Sequence, residues 1–141
     1  MASKGFRPLI GAAEAQDLAK VRRLIAAGAD VNASDEFGVT ALHLAVRYAY
    51  EGEADALLIV EALLDAGADI DAQDEDGTTA LMNAVFYDYP LILKRLIERG
   101  ADVNRRNEDG QTALSAVEEA PSVARKRRRV IKMLEQAGGV R

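Results

Sequence analysis

With 141 residues, nearly half of them apolar but only seven aromatic, the chain has the length of one domain and the Ala- and Leu-rich palette of thin, closely packed helices. The absence of cysteine excludes disulfides and thiolate metal sites, a single histidine argues against a histidine metal site, and no apolar run approaches the ~20 residues that span a bilayer. The net charge of -5 is unevenly spread: residues 1–120 carry 11 basic against 22 acidic residues, whereas residues 121–141 carry 7 basic and one acidic.

Along the chain, Pro8 stands where a first helical residue needs no N–H. Lys20, Val21, Leu24 and Ile25 then form a half-polar doublet pattern that ends at Gly28, a residue able to close a helix in the left-handed conformation. The stretch Gly28-Ala29-Asp30-Val31-Asn32 leads to Asp35-Glu36-Phe37-Gly38, turn chemistry for a tight hairpin, and then to Thr40, a helix N-cap. The same sentence recurs. Ile59, Val60, Leu63 and Leu64 precede Gly67-Ala68-Asp69-Ile70-Asp71, Gly77 and Thr79. Ile92, Leu93, Leu96 and Ile97 precede Gly100-Ala101-Asp102-Val103-Asn104, Gly110 and Thr112. Val130, Ile131, Leu134 and Glu135 precede Gly138. Doublets one turn apart give a helix two buried edges, each packed on a different neighbour. The first and last doublets lose one apolar edge, as the ends of an open stack require.

The helix-ending glycines lie 39, 33 and 38 residues apart, while the link from each of the first three to its hairpin glycine is constant at ten. The extra residues of the second and fourth repeats therefore fall between their two helices, in Tyr48–Asp55 and around Pro121. A 33-residue period with Thr-Ala-Leu-His, Thr-Ala-Leu-Met and Thr-Ala-Leu-Ser after the hairpin resembles the ankyrin repeat over roughly residues 6–139. The resemblance implies an all-α ankyrin-repeat solenoid of helix-turn-helix units joined by short β-hairpin-like loops. Its repeats are expected at about 5–37, 38–76, 77–109 and 110–141, forming one domain over 1–141 with the first and last repeats as caps. The stop at Gly138-Gly139-Val140-Arg141 reads as the end of a complete four-repeat domain.

What the resemblance implies for function is a protein-protein interaction module, with a partner held on the concave face by hairpin tips and first helices. Carried onto this chain, the tip residues are Glu36, Phe37 and Val39; Glu75, Asp76 and Thr78; Glu108, Asp109 and Gln111. The first-helix residues are Arg47, Tyr48, Phe86 and Tyr87, with Glu119 a weaker counterpart in the fourth repeat. Phe37, Tyr48, Phe86 and Tyr87 are the expected affinity group, since aromatics combine large apolar area with a polar handle. The competing reading packs Tyr50, Phe86 or Tyr89 beneath the inserted segment. The acidic tips favour a partner with a basic surface, or are simply good turn residues.

The run Arg125-Lys126-Arg127-Arg128-Arg129 with Lys132 invites a polyanion or nucleic-acid reading. Five consecutive helical residues would spread around the circumference, and cations there can pair with the acidic body, so nucleic acid is not the expected partner. His43 matches a structural ankyrin position that links neighbouring hairpins, and neither a second His nor a Cys accompanies it for catalysis. Asn32 and Asn104 occupy positions that can be hydroxylated in animal ankyrin proteins, with a plain turn role preferred; the Asn32 glycosylation sequon is discounted without a secretion signal. No catalytic, cofactor or metal site is expected. The chain reads as a monomeric cytoplasmic binding module rather than an enzyme; the alternatives are polyanion binding through the basic C-terminal helix and a self-associating or engineered repeat scaffold.

Overall fold

The computed structural model describes residues 7–119 and 121–141. The expected start of the first repeat near residue 5 lies outside them. The chain divides into two compact units, one ending at Asp69 and the other beginning at Ile70. Both are all-α: among the described residues no strand forms, and extended pairing is limited to one antiparallel bridge between Ser34 and Thr40.

The first unit holds two helix pairs. Helices α1 (Pro8–Glu14) and α2 (Leu18–Ala26) form one, α3 (Ala41–Arg47) and α4 (Glu53–Asp65) the other. Within the first pair the chain reverses through Gln16, which sits at φ 55°. The following N–H groups return to the end of α1, Gln16 N–H to the Ala13 carbonyl and Asp17 N–H to that of Ala12, so carbonyls a helix end leaves open are satisfied. The second pair instead uses the inserted residues: a 3₁₀ turn over Ala49–Glu51 and an α4 of 13 residues. The insertion is thus part turn and part added helix. Helix α3 packs on α1 and α4 on α2, so that Val21, Ala45, Ile59, Val60 and Leu63 are all buried.

The second unit begins with α5 (Ala80–Phe86) and α6 (Pro90–Glu98). Their turn repeats the first pair's device with Asp88 at φ 62°, where Asp and Asn tolerate the left-handed conformation better than most residues. The last repeat has three helices, α7 (Ala113–Glu118), α8 (Pro121–Lys126) and α9 (Arg128–Gln136). Its insertion near Pro121 is therefore the extra helix α8. Helix α7 packs on α5, and α9 on both α6 and α7, burying Ile92, Leu93, Leu96, Leu114, Val130 and Leu134. The central doublets turn inward except Ile97, which is half-buried like Leu24, Ile25 and Ile131 of the terminal repeats, and Lys20 and Glu135 remain exposed.

Each first helix after a hairpin starts on its threonine. Thr40, Thr79 and Thr112 accept from the backbone N–H of His43, Met82 and Ser115, satisfying donors that a helix start leaves open. His43 is buried and its Nδ1 accepts from the Thr40 N–H at 3.1 Å, closing a capping box. That nitrogen is therefore occupied by structure. In each hairpin one side chain bridges the turn: Asp35, Asp74 and Asn107 accept from two N–H groups at 2.8–3.0 Å.

Candidate interaction surfaces

In the first unit the hairpin tip lifts Glu36 and Phe37 into solvent, Phe37 with half its surface exposed. The Phe37 N–H is held by Asp35 at 2.8 Å, so the backbone beneath the ring is fixed while the ring is not covered. Val39 differs from expectation. It is only 7% exposed, because the residue before the capping threonine points into the unit, and it presents no surface to a partner. At the far end of α3, Arg47 and Tyr48 are half-buried, and the Tyr48 ring lies 6.1 Å from Tyr50 in a tilted arrangement. Tyr50 itself is 69% exposed, so it does not pack beneath the insertion.

In the second unit Glu75, Asp76, Glu108 and Asp109 are exposed at two successive tips, whereas Thr78 and Gln111 are half-buried in hairpin hydrogen bonds. The Glu108 N–H donates to the Asp76 carbonyl at 2.9 Å, which places the two acidic tips side by side. The C-terminal end of α5 carries the aromatics. Phe86 is 63% exposed and meets Tyr87 edge-to-face at 5.0 Å, and Tyr87 stacks towards Tyr89 at 6.1 Å. Their shared location is the chain's largest exposed aromatic cluster among the described residues, and it sits on a helix that is otherwise nearly all buried. Glu119 is exposed beyond the end of α7.

Other singled-out residues resolve into structure. Asn32 uses both ends of its amide, donating to the Gly67 carbonyl at 3.1 Å and accepting from the Asp69 N–H at 2.7 Å. Asn104 does the same with the Gly138 carbonyl and the Val140 N–H. These asparagines tie one loop to the next. Arg141 grips Glu118 through two bonds at 2.6 and 2.7 Å and reaches Glu135 at 3.1 Å. Hydrogen bonding to Glu118 and then to Glu135 raises its pKa above the usual guanidinium value.

Two features went unread in the sequence. Asn83 on α5 is buried and its amide nitrogen lacks a hydrogen-bond partner. Its counterparts are Leu44 on α3 and Ala116 on α7, so the amide is not needed by the fold. The second is the course of the basic run, which breaks at Arg127 between α8 and α9 instead of circling one helix.

No group of His, Cys, Asp or Glu among the described residues is placed to hold a metal. A shallow open groove of about 340 Å³ runs between α6 and α9, lined by Lys94, Ile97, Glu98, Met133, Gln136 and Ala137. No described helix is long and apolar enough to cross a membrane.

Antiparallel helix pairs linked by tight, threonine-capped hairpins define a helical repeat protein. Two family models described as ankyrin repeats (many copies) match the chain, one over residues 9–58 and the other over 63–115. The chain is an ankyrin-repeat protein, of a family whose repeats serve generally as protein-protein interaction modules. Comparison with curated proteins gave no match.

Proposed function

We propose that the chain acts as one ankyrin domain over 1–141, a monomeric cytoplasmic module that captures another protein on its concave face. The observation that carries this reading is the exposure of Phe37 and of the Phe86–Tyr87 pair at tips and first-helix ends, while Ile59, Val60, Leu63, Ile92, Leu93 and Leu96 of the central doublets are buried. Aromatic side chains left in water on a rigid support provide binding area with little ordering cost. In the first unit Glu36, Phe37, Arg47 and Tyr48 contribute to the surface. In the second unit Glu75, Asp76, Thr78, Phe86, Tyr87, Glu108, Asp109 and Gln111 contribute, while the buried Val39 of the first unit is left out. The exposed tip carboxylates orient a partner whose surface is basic.

The test is selection of peptides from a displayed random library on the full chain, followed by binding to a variant with Phe37, Tyr48, Phe86 and Tyr87 all changed to Ala. The expected result is an unchanged melting curve and loss of binding by about tenfold or more, the size of a single hot-spot deletion. Selected peptides that bind the variant as tightly as the parent overturn the assignment.

A further inference from the structure

We infer that the outward side of α9, with the adjoining end of α8, is a docking ledge for an acidic segment of a partner protein. The inference goes beyond the aromatic surface and uses none of its residues. It starts from a sorting of six cations. Arg127 alone is committed to the fold: it is half-buried, its Nε donates to the Phe86 carbonyl at 2.9 Å, and its Nη1 lies 3.9 Å from the Asp88 carboxylate. Arg125, Lys126, Arg128, Arg129 and Lys132 are exposed and make neither an ion pair nor a side-chain hydrogen bond with the described residues.

In a chain of net charge -5 that separation is informative. Three arginines elsewhere in the same unit find carboxylates: Arg95 meets Glu98 at 3.2 Å, Arg105 lies 3.7 Å from both Asp71 and Asp102, and Arg141 joins Glu118 and Glu135. The five on α8 and α9 do not, although neutralising the acidic body was their expected task. Glu135, the one acidic residue beyond Pro121, lies on the same side of α9 three residues past Lys132, but it is already engaged by Arg141.

Helical phase then gathers the charges. Val130 and Leu134 are buried, which sets the inward direction of α9. At 3.6 residues per turn Arg128, Arg129 and Lys132 fall within about 100° of arc on the opposite side. Arg125 and Lys126 continue from the last turn of α8. Like charges so close repel one another within a Debye length of about 8 Å, so an anion that settles among them relieves repulsion and gains attraction together. Guanidinium forks suit carboxylates in bidentate pairs.

The ledge fits an acidic peptide better than a nucleic acid. From Arg128 to Lys132 it rises about 6 Å along α9, and Arg125 and Lys126 extend it by the last turn of α8, enough for a short acidic run and not for a tract of phosphates. No aromatic residue occurs in 121–141 to stack a base.

The experiment measures fluorescence anisotropy of a dye-labelled peptide of consecutive Glu and Asp residues with the full chain. A variant with Arg125, Lys126, Arg128, Arg129 and Lys132 changed to Gln is compared with a control carrying Gln at the exposed Lys20, Arg22, Arg23 and Lys94. The expected result is saturable, salt-sensitive binding that the ledge variant weakens at least tenfold and the control leaves within twofold, with equal melting curves. No binding, equal loss in both variants, or retention by the ledge variant overturns the proposal. So does tighter binding of a single-stranded RNA of equal charge, or a peptide-independent dimer seen by sedimentation that the ledge variant abolishes.

Discussion

Gly77 and Gly110 share a backbone conformation, φ 75° at each, but not a setting. A Cβ on Gly110 would meet nothing within 4 Å, whereas one on Gly77 would lie 2.6 Å from the Glu108 backbone nitrogen, because the next hairpin leans directly on it. Gly110→Ala is therefore expected to lower stability by about 1–2 kcal/mol, the cost of a left-handed residue bearing a Cβ. Gly77→Ala adds overpacking against rigid backbone and should lose about 1–3 kcal/mol more. Urea unfolding of the two variants checks the difference. Equal midpoints would show that the close approach of the hairpins is not present in solution. Both glycines were legible as turn residues; which of them also carries a contact was not, since the neighbour comes from a hairpin 31 residues away.

The helices vary in how much of their stability is their own. None of the first helices exceeds 7 residues, too short to persist without packing. Helix α4, with 13 residues, buries Ile59, Val60 and Leu63 completely while Leu58 faces solvent. Leu63→Ala is expected to cost about 2–5 kcal/mol, against less than about 0.5 kcal/mol for Leu58→Ala. Thermal or urea melts of both check it, and a Leu63→Ala midpoint matching Leu58→Ala would contradict the register of the doublets. The insertion before α4 was located correctly from spacing alone. Its conformation was not legible, because a 3₁₀ turn and an added helical turn use the same residues and differ only in what the preceding helix leaves room for.

Across the whole chain, an open stack must end on faces that tolerate water. In the second unit that task falls to α9, which covers the apolar sides of α6 and α7 with Val130 and Leu134 and turns Arg128, Arg129 and Lys132 outward. A chain ending at Lys126 would uncover the sides of α6 and α7 against which α9 packs. It is expected to melt earlier and to associate, since contiguous apolar surface of this kind seeks a partner. Light scattering on the shortened chain tests this; a monodisperse, equally stable product would remove α9 from its capping role.

The repeat period, the capping threonines, the helix-ending glycines and the inward doublets were all readable from residue order, because each depends on neighbours no more than a turn or a hairpin away. Exposure of individual side chains was not. Val39 and Phe37 sit two positions apart in one hairpin, yet one is buried and the other half in water, and Tyr50 lies open where packing was equally plausible. The basic run shows the same boundary: five consecutive cations and the nearby Lys132 look alike, and folding separates one that holds the end of α5 from five that face solvent. That sorting depends on which residues a distant segment brings alongside, and short-range pattern carries no information about it.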